Sequence, residues 1–330
     1  MEDLQSLIRI PRIWEQLSVV EERLLEASAA DDAYLTKIAQ HLLLAGGKRF
    51  RPLLALLAAE FGSPSDRRPV EAAVSVELIH VGSLYHDDVI DEAATRRGAS
   101  SANANWDNTV AILAGDFLMA RASEVAATHL SQESVRLLAA TYAELVEGQT
   151  RELQLQGDLT HSIEDYLQVI GGKTASLIRT SARLGAMAAD AEDGVVESLS
   201  TWAWEVGMVF QIADDALDLI ADEETIGKPA GSDIREGTFT APVLMAASSP
   251  EGTRVRELLA DRPYEDDAVA EVIQLVRKGG FVESSLEEAR RRLSVADDAL
   301  EQLPTGNARS ILQSLGAYLL DRVESARQGA

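Results

Sequence analysis

The chain has 330 residues, 46% apolar and 25% charged, a globular composition long enough to bury a sizeable core. A net charge of −24 argues against binding nucleic acid or an anionic membrane, and zero cysteines exclude disulfides, thiolate ligands and a thiol nucleophile. The acidic start MEDLQSLIRI lacks a signal pattern and no apolar run reaches the roughly 18 residues of a membrane span, so a cytoplasmic location is expected.

Along the chain, apolar residues recur at intervals of three and four, as at Leu53, Leu56 and Leu57, which is the period of helices. In AGGKRFRP (45–52), Gly46 and Gly47 fit a helix C-terminus and Pro52 fits the first turn of the next helix. Lys48, Arg49 and Arg51 then crowd a helix joint beside a positive helix N-terminus, a place suited to an anion. The plainer reading of that stretch is a basic turn that serves solubility. FGSPSDRRP (61–69) reads as a loop, and no proline interrupts the chain between Pro69 and Pro229.

Residues 71–95 form an otherwise apolar helix carrying Asp87, Asp88 and Asp91, with His80 two turns earlier on nearly the same face. The Asp-x-x-x-Asp spacing puts two carboxylates on one face, where like charges repel and burial adds a desolvation cost. Hard cations relieve both, and carboxylate-only sites suit Mg²⁺ bridged to a phosphate. Solvated acidic helix faces are the bland alternative. Arg96 and Arg97 open the next expected loop, RRGASSANAN (96–105).

The helical period returns between Leu145 and Leu155. Lys173 and Thr174 in GGKT invite comparison with a P-loop, but Leu167 stands where that pattern needs glycine and no strand precedes it, so the reading is rejected. A second acidic helix, GMVFQIADDALDLIAD (207–222), carries Asp214, Asp215 and Asp218, with Gln211 on the face of Asp214 and Asp218. The longest expected loop, 221–242, holds Lys228, Gly231 and Asp233 and has the character of a lid. The charged tail after Pro250, including EEARRR, reads as solvated helix faces. The whole is one all-α domain over residues 1–330, with no repeat or linker to divide it.

Taken in order, GGKRFRP, HDDVID, the following RRG, Gly148-Gln149, Lys173-Thr174, FQIADDALD and GKPAGSD resemble the trans-prenyl diphosphate synthase (polyprenyl synthetase) family. The resemblance spans about residues 40–245. It implies a homodimer of helical bundles, each around a deep central cavity with the two aspartate clusters across its mouth. It places Asp87, Asp88, Asp91 and Asp214, with Asp218 through water, on Mg²⁺ or Mn²⁺, and leaves Asp215 in the same carboxylate set. Arg96, Lys173, Thr174, Gln211 and Lys228 would bind an allylic diphosphate, while Lys48, Arg51, His80 and Arg97 would bind isopentenyl diphosphate.

The implied catalytic groups are the metal-bound aspartates with Lys173 and Lys228. The small residues Gly82 and Ser83, just before the first cluster, imply an open tail channel and a product of geranylgeranyl length or longer. One departure stands out: Thr238 occupies a position where the family usually has lysine. The alternatives are a class I terpene cyclase, which would not need GGKRFRP with His80, and a non-catalytic subunit of a heteromeric synthase, which would not need six aspartates.

Overall fold

The computed structural model describes residues 2–64, 67–220, 230–250 and 252–329. Its helices up to residue 220 are α1 (Glu2–Leu7), α2 (Pro11–Ala27), α3 (Ala33–Ala39), α4 (His41–Leu44), α5 (Phe50–Ala59), α6 (Arg68–Ile90), α7 (Ala102–Asn105), α8 (Asn108–His129), α9 (Gln132–Leu155), α10 (Ile163–Ile170), α11 (Ser176–Ala188) and α12 (Asp193–Ile220). Among the described residues the one sheet is an antiparallel pair, β1 (Thr95–Arg96) with β2 (Ala99–Ser100). The chain forms two compact units, each assembled from three separate stretches. One holds Met1–Ala143, Leu177–Ser200 and Gln302–Ile311; the other holds Glu144–Ser176, Thr201–Glu301 and Leu312–Ala330.

In the first unit α6 packs against α8, α5 and α2. It is buried on almost every side, Val70, Val74, Leu78, Val81 and Tyr85 among others, as a helix with neighbours all round must be. By contrast α2 buries a single stripe, Ile13, Leu17, Val20, Leu24 and Ala27, each large member contributing about 1.5–3 kcal/mol. At the α5–α11 crossing a Cβ on Gly185 would lie 2.0 Å from the Ala55 carbonyl oxygen, so the two backbones touch only because that residue is glycine. The joint at 45–52 has the expected form: α4 ends before Gly46 and Gly47, and Pro52 lies in the first turn of α5.

Two segments read as loops carry regular structure. Residues 95–100 form a hairpin whose two-residue turn, Arg97 (φ 54) and Gly98 (φ 76), has positive φ at both positions, matching the twist of paired strands. Ser101 then caps the one-turn α7 through Ala104 N. In the second unit a short helix, Ser232–Glu236, lies inside 221–242, bracketed by the left-handed Gly231 (φ 78) and Gly237 (φ 76). Lys228 falls outside the described residues.

The EEARRR run behaves as expected in part. Arg291 and Arg292 pair with Glu288 on their own helix, but Arg292 also reaches Glu205 of α12 at 3.0 Å, with both side chains largely covered. Residues Gly171–Ala175, the GGKT segment, form a π-helical turn between α10 and α11. Such turns are rare and concentrate at functional sites.

Candidate active site

The first aspartate cluster sits at the C-terminal end of α6. Asp87 and Asp88 are in its last turn and Asp91 is the capping residue, already off the helix and exposed. This is the negative pole of the helix dipole, where added carboxylates are unfavourable. Asp88 is 0% exposed, and its Oδ1 accepts from Arg96 Nε at 2.6 Å. Its Oδ2 is buried with no hydrogen-bond partner among the described residues, an arrangement costing about 1–3 kcal/mol unless another ligand satisfies it. Burial pushes the Asp88 carboxyl above its ordinary range, and Arg96 pulls it back.

Near the joint before α5 the same unit gathers a cation cluster. The Gly47 α-carbon leaves room for guanidinium groups on either side, a Cβ there meeting Arg49 Nη1 and Arg97 Cζ at 3.1 Å. Arg49 is fully engaged: it donates to Glu21 at 2.6 and 3.0 Å, to Glu77 at 3.1 Å and to the Leu43 carbonyl at 2.8 Å. Arg97 donates to the carbonyls of Leu42 and Gly46.

Arg51 is different. Its Nη1 donates to His80 Nε2 at 3.3 Å, and its Nε is buried without a partner among the described residues. Burial, which outweighs the help of Glu77, brings its pKa down to about 10, so it stays cationic at neutral pH. Burial, with Arg51 and Arg97 beside it, holds His80 well below the ordinary histidine range and therefore neutral. A half-buried cation with a buried N–H next to a neutral imidazole suits an anion. Lys48, three positions before Arg51, is exposed.

In the second unit Thr174 Oγ1 donates to Gln211 Oε1 at 2.8 Å, Gln211 Nε2 donates to Asp215 Oδ1 at 2.8 Å, and Tyr166 Oη donates to Asp215 Oδ2 at 2.6 Å. Both oxygens of Asp215 are thereby taken, and burial with the charge of Asp233 raises its pKa well above the usual carboxylate range. Asp214 lies 3.7 Å from Arg322, a C-terminal cation with no signal in the sequence pattern. Asp218 is 2% exposed, and its Oδ2 accepts from Asp233 N at 3.3 Å. Lys173 pairs with Glu152 at 2.5 Å. Thr238, where lysine was expected, gives its backbone N–H to the Asp233 carbonyl.

The donors fit magnesium. Both clusters lie within the last turns of α6 and α12, at negative helix poles, and Asp88 holds a buried unsatisfied oxygen. Among the described residues no group of three or more His, Cys, Asp or Glu side chains is arranged to hold a metal unaided. Mg²⁺ keeps several waters and takes one or two carboxylates plus substrate phosphate, so it does not need such a cage.

Gly82 faces α8, where a Cβ would meet Met119 Cε at 2.9 Å and the Gly115 carbonyl oxygen at 3.2 Å. It therefore serves helix packing, whatever it does for a substrate tail. Ser83 Oγ donates to the His80 carbonyl at 2.8 Å. Three further residues hold the site's groups and belong to no motif: Glu77, Glu152 and Tyr166. Glu77, an acid in the apolar run AVSVELI, was the detectable one, because a buried acid calls for a cationic partner.

The model of the polyprenyl synthetase family matches residues 32–276. The chain is 45% identical over 286 residues to a nonaprenyl diphosphate synthase of Mycobacterium tuberculosis, covering 86% of this chain and 85% of that protein. It is 40% identical over 307 residues to heptaprenyl diphosphate synthase component 2 of Geobacillus stearothermophilus, covering 92% and 95%. A crystal structure of geranylgeranyl pyrophosphate synthase from Corynebacterium glutamicum, complexed with calcium and isoprenyl diphosphate, superposes with a TM-score of 0.84 at 41% identity over 95% of this chain and 96% of that one.

Proposed function

This chain belongs to the polyprenyl synthetase family, and we propose that it works as one magnesium-dependent domain over residues 1–330, as a cytoplasmic homodimer whose product is of geranylgeranyl length or longer. The reaction is that of a trans-prenyltransferase: an allylic diphosphate and isopentenyl diphosphate are joined head to tail and diphosphate is released. The observation that carries the site assignment is Asp88, with a buried oxygen lacking a partner among the described residues at the negative pole of α6 and its other oxygen on Arg96.

In this reading Asp87, Asp88, Asp91, Asp214 and Asp218 would hold Mg²⁺ for the allylic diphosphate. Asp215, with both oxygens already bonded, steadies α12 through Tyr166 and Gln211. Bound Mg²⁺ supplies neutralisation of the charge that grows on the leaving diphosphate. Arg96, Lys173 and Gln211 would donate to the same diphosphate, as would Lys228, while Thr174, the other residue assigned to that diphosphate, holds Gln211 through its hydroxyl. Donors that tighten as charge develops lower the barrier to C–O cleavage. The double bond of isopentenyl diphosphate attacks the allylic cation, and the proton then leaves to the departing diphosphate, so no protein base is required.

Arg51, with Lys48, His80 and Arg97, anchors isopentenyl diphosphate. Arg51→Ala raises the KM for isopentenyl diphosphate by about 10- to 100-fold and changes kcat much less, because those contacts are alike in ground and transition states. Steady-state kinetics with each substrate varied in turn reads the split. An unchanged isopentenyl diphosphate KM would remove Arg51 from that site.

The protein purified alone, given Mg²⁺, isopentenyl diphosphate and an allylic starter, forms prenyl diphosphates of geranylgeranyl length or longer by mass spectrometry. In the same preparation it sediments at twice the 35.6 kDa of one chain. The exposed Ile112 and Leu113 of α8 are the faces we assign to the second copy. No turnover as a homomer would favour the heteromeric alternative, a cyclised hydrocarbon would favour the cyclase, and products stopping at farnesyl would overturn the length assignment. A phenylalanine at 82 would have to displace Met119 and crowd the Gly115 carbonyl, mixing packing with specificity, so product length is best read on the unaltered enzyme.

A further inference from the structure

Lys173 does not await its substrate with an open ammonium group. Its Nζ lies 2.5 Å from Glu152 Oε2, with the two side chains 28% and 20% exposed. The pair is built into the fold from both sides. On α9, Gln149 is 7% exposed and donates from Nε2 to the same Glu152 oxygen at 3.0 Å, which fixes the carboxylate one turn along its own helix. Lys173 projects from the π-helical turn, where Ser176 Oγ closes onto the Gly172 carbonyl.

Glycines set the register between the two partners. A Cβ on Gly148 would lie 2.6 Å from Lys173 N, and a Cβ on Gly172 would lie 3.0 Å from both the Glu144 carbonyl oxygen and the Gly148 Cα. Helix and turn thus touch backbone to backbone, and Glu152 and Lys173 are delivered to each other by main-chain contact. The first unit holds a parallel in Arg96, which rests on Asp88 at 2.6 Å. There the carboxylate belongs to the metal set; Glu152 belongs to neither aspartate cluster.

We propose that Glu152 is an intramolecular competitor of the allylic diphosphate for Lys173, which tunes how tightly diphosphate is held and how readily it leaves. This rests on the reading of Lys173 as a contact of that diphosphate. A carboxylate and a diphosphate are both oxyanions, and the diphosphate, with its higher charge, displaces the carboxylate from the ammonium. Glu152 is then left charged beside a new anion, and both the lost ion pair and this repulsion weaken binding. After condensation the order reverses. The released diphosphate has to depart before another allylic end can be seated, and Glu152 is placed to recapture Lys173 as it goes.

Glu152→Gln tests this, since it keeps the length of the side chain and an oxygen to accept from Gln149. The KM of the allylic substrate and the Kd of inorganic diphosphate with Mg²⁺, measured by calorimetry without turnover, both fall by about three- to tenfold, as expected for removing one partly buried competing charge. The KM for isopentenyl diphosphate stays unchanged and kcat falls as diphosphate release slows. Diphosphate affinity that is unchanged or weaker overturns the proposal, the second result making Glu152 a positioner of Lys173.

Lys173→Ala separates the two layers of the argument. If that change alone leaves allylic KM and diphosphate Kd untouched, the reading of Lys173 fails. If it weakens both while Glu152→Gln tightens neither, only the competitor role fails. In the Lys173→Ala background Glu152→Gln gives no tightening by way of the ammonium. Should Glu152→Gln fold poorly by thermal melting, Glu152→Asp, which retracts the carboxylate, gives the same direction of change.

Discussion

Excess EDTA takes condensation to background, and Mg²⁺ or Mn²⁺ in excess of the chelator restores it. The expectation follows from charge placement. Asp87 and Asp88 lie in the last turn of α6, Asp91 caps it, and Asp214 and Asp218 lie in the last turns of α12. Carboxylates at those poles are opposed by the helix dipole and by one another, so the apo arrangement is electrostatically poor and a divalent cation makes it favourable. With no cysteine in the chain and carboxylates as donors, hard oxygen-binding cations are the ones that suit. Product formation, followed as label transferred from isopentenyl diphosphate, measures it, and full turnover in the chelator would sink the metal assignment. A readout apart from activity is the melting temperature. Mg²⁺ with inorganic diphosphate raises it in the intact protein, because a ligand that binds only the native state stabilises that state.

Asp88→Asn lowers kcat by about 10²- to 10³-fold or more, the scale for removing one group that acts on developing charge. The fold does not suffer in step. Asp88 is 0% exposed, carries an oxygen without a hydrogen-bond partner among the described residues and stands at a negative helix pole, so the neutral isostere relieves strain while retaining shape. The variant therefore unfolds at the same temperature as the parent or higher, a separation of stability from function typical of active-site charges. Kinetics and thermal melting on one preparation test both halves. A variant that keeps parental kcat, or loses activity only because it unfolds, removes Asp88 from the site. Asp214→Asn, partly exposed and 3.7 Å from Arg322, gives a similar loss of kcat.

The sequence by itself determined the class of the fold and the chemical inventory. Helical periodicity needs only local information, and the aspartate clusters and GGKRFRP are contiguous strings whose residue types already say metal, anion and helix joint, while Lys173-Thr174 takes its diphosphate role from the family resemblance. The tertiary structure decided which members of those strings are available. Arg49 and Arg51 look equivalent two positions apart, yet Arg49 is spent on Glu21 and Glu77, while Arg51 meets a neutral His80 and keeps a buried N–H without a partner among the described residues. Asp214 and Asp215 are adjacent, yet Asp215 is held by Tyr166 and Gln211.

The 96–105 and 221–242 segments read as loops because glycine and polar residues favour turns. Whether such a turn closes a hairpin, or caps a short helix as Gly231 and Gly237 do, depends on what the flanking backbone can pair with. Glu152 and Tyr166 leave no trace in the pattern, and Gly82 shows only as a small residue before the first cluster, for a related reason. Their roles are contacts made 21, 49 and 33 positions away, with Lys173, Asp215 and Gly115, and a contact at that separation is fixed by how helices pack, which no local spacing encodes.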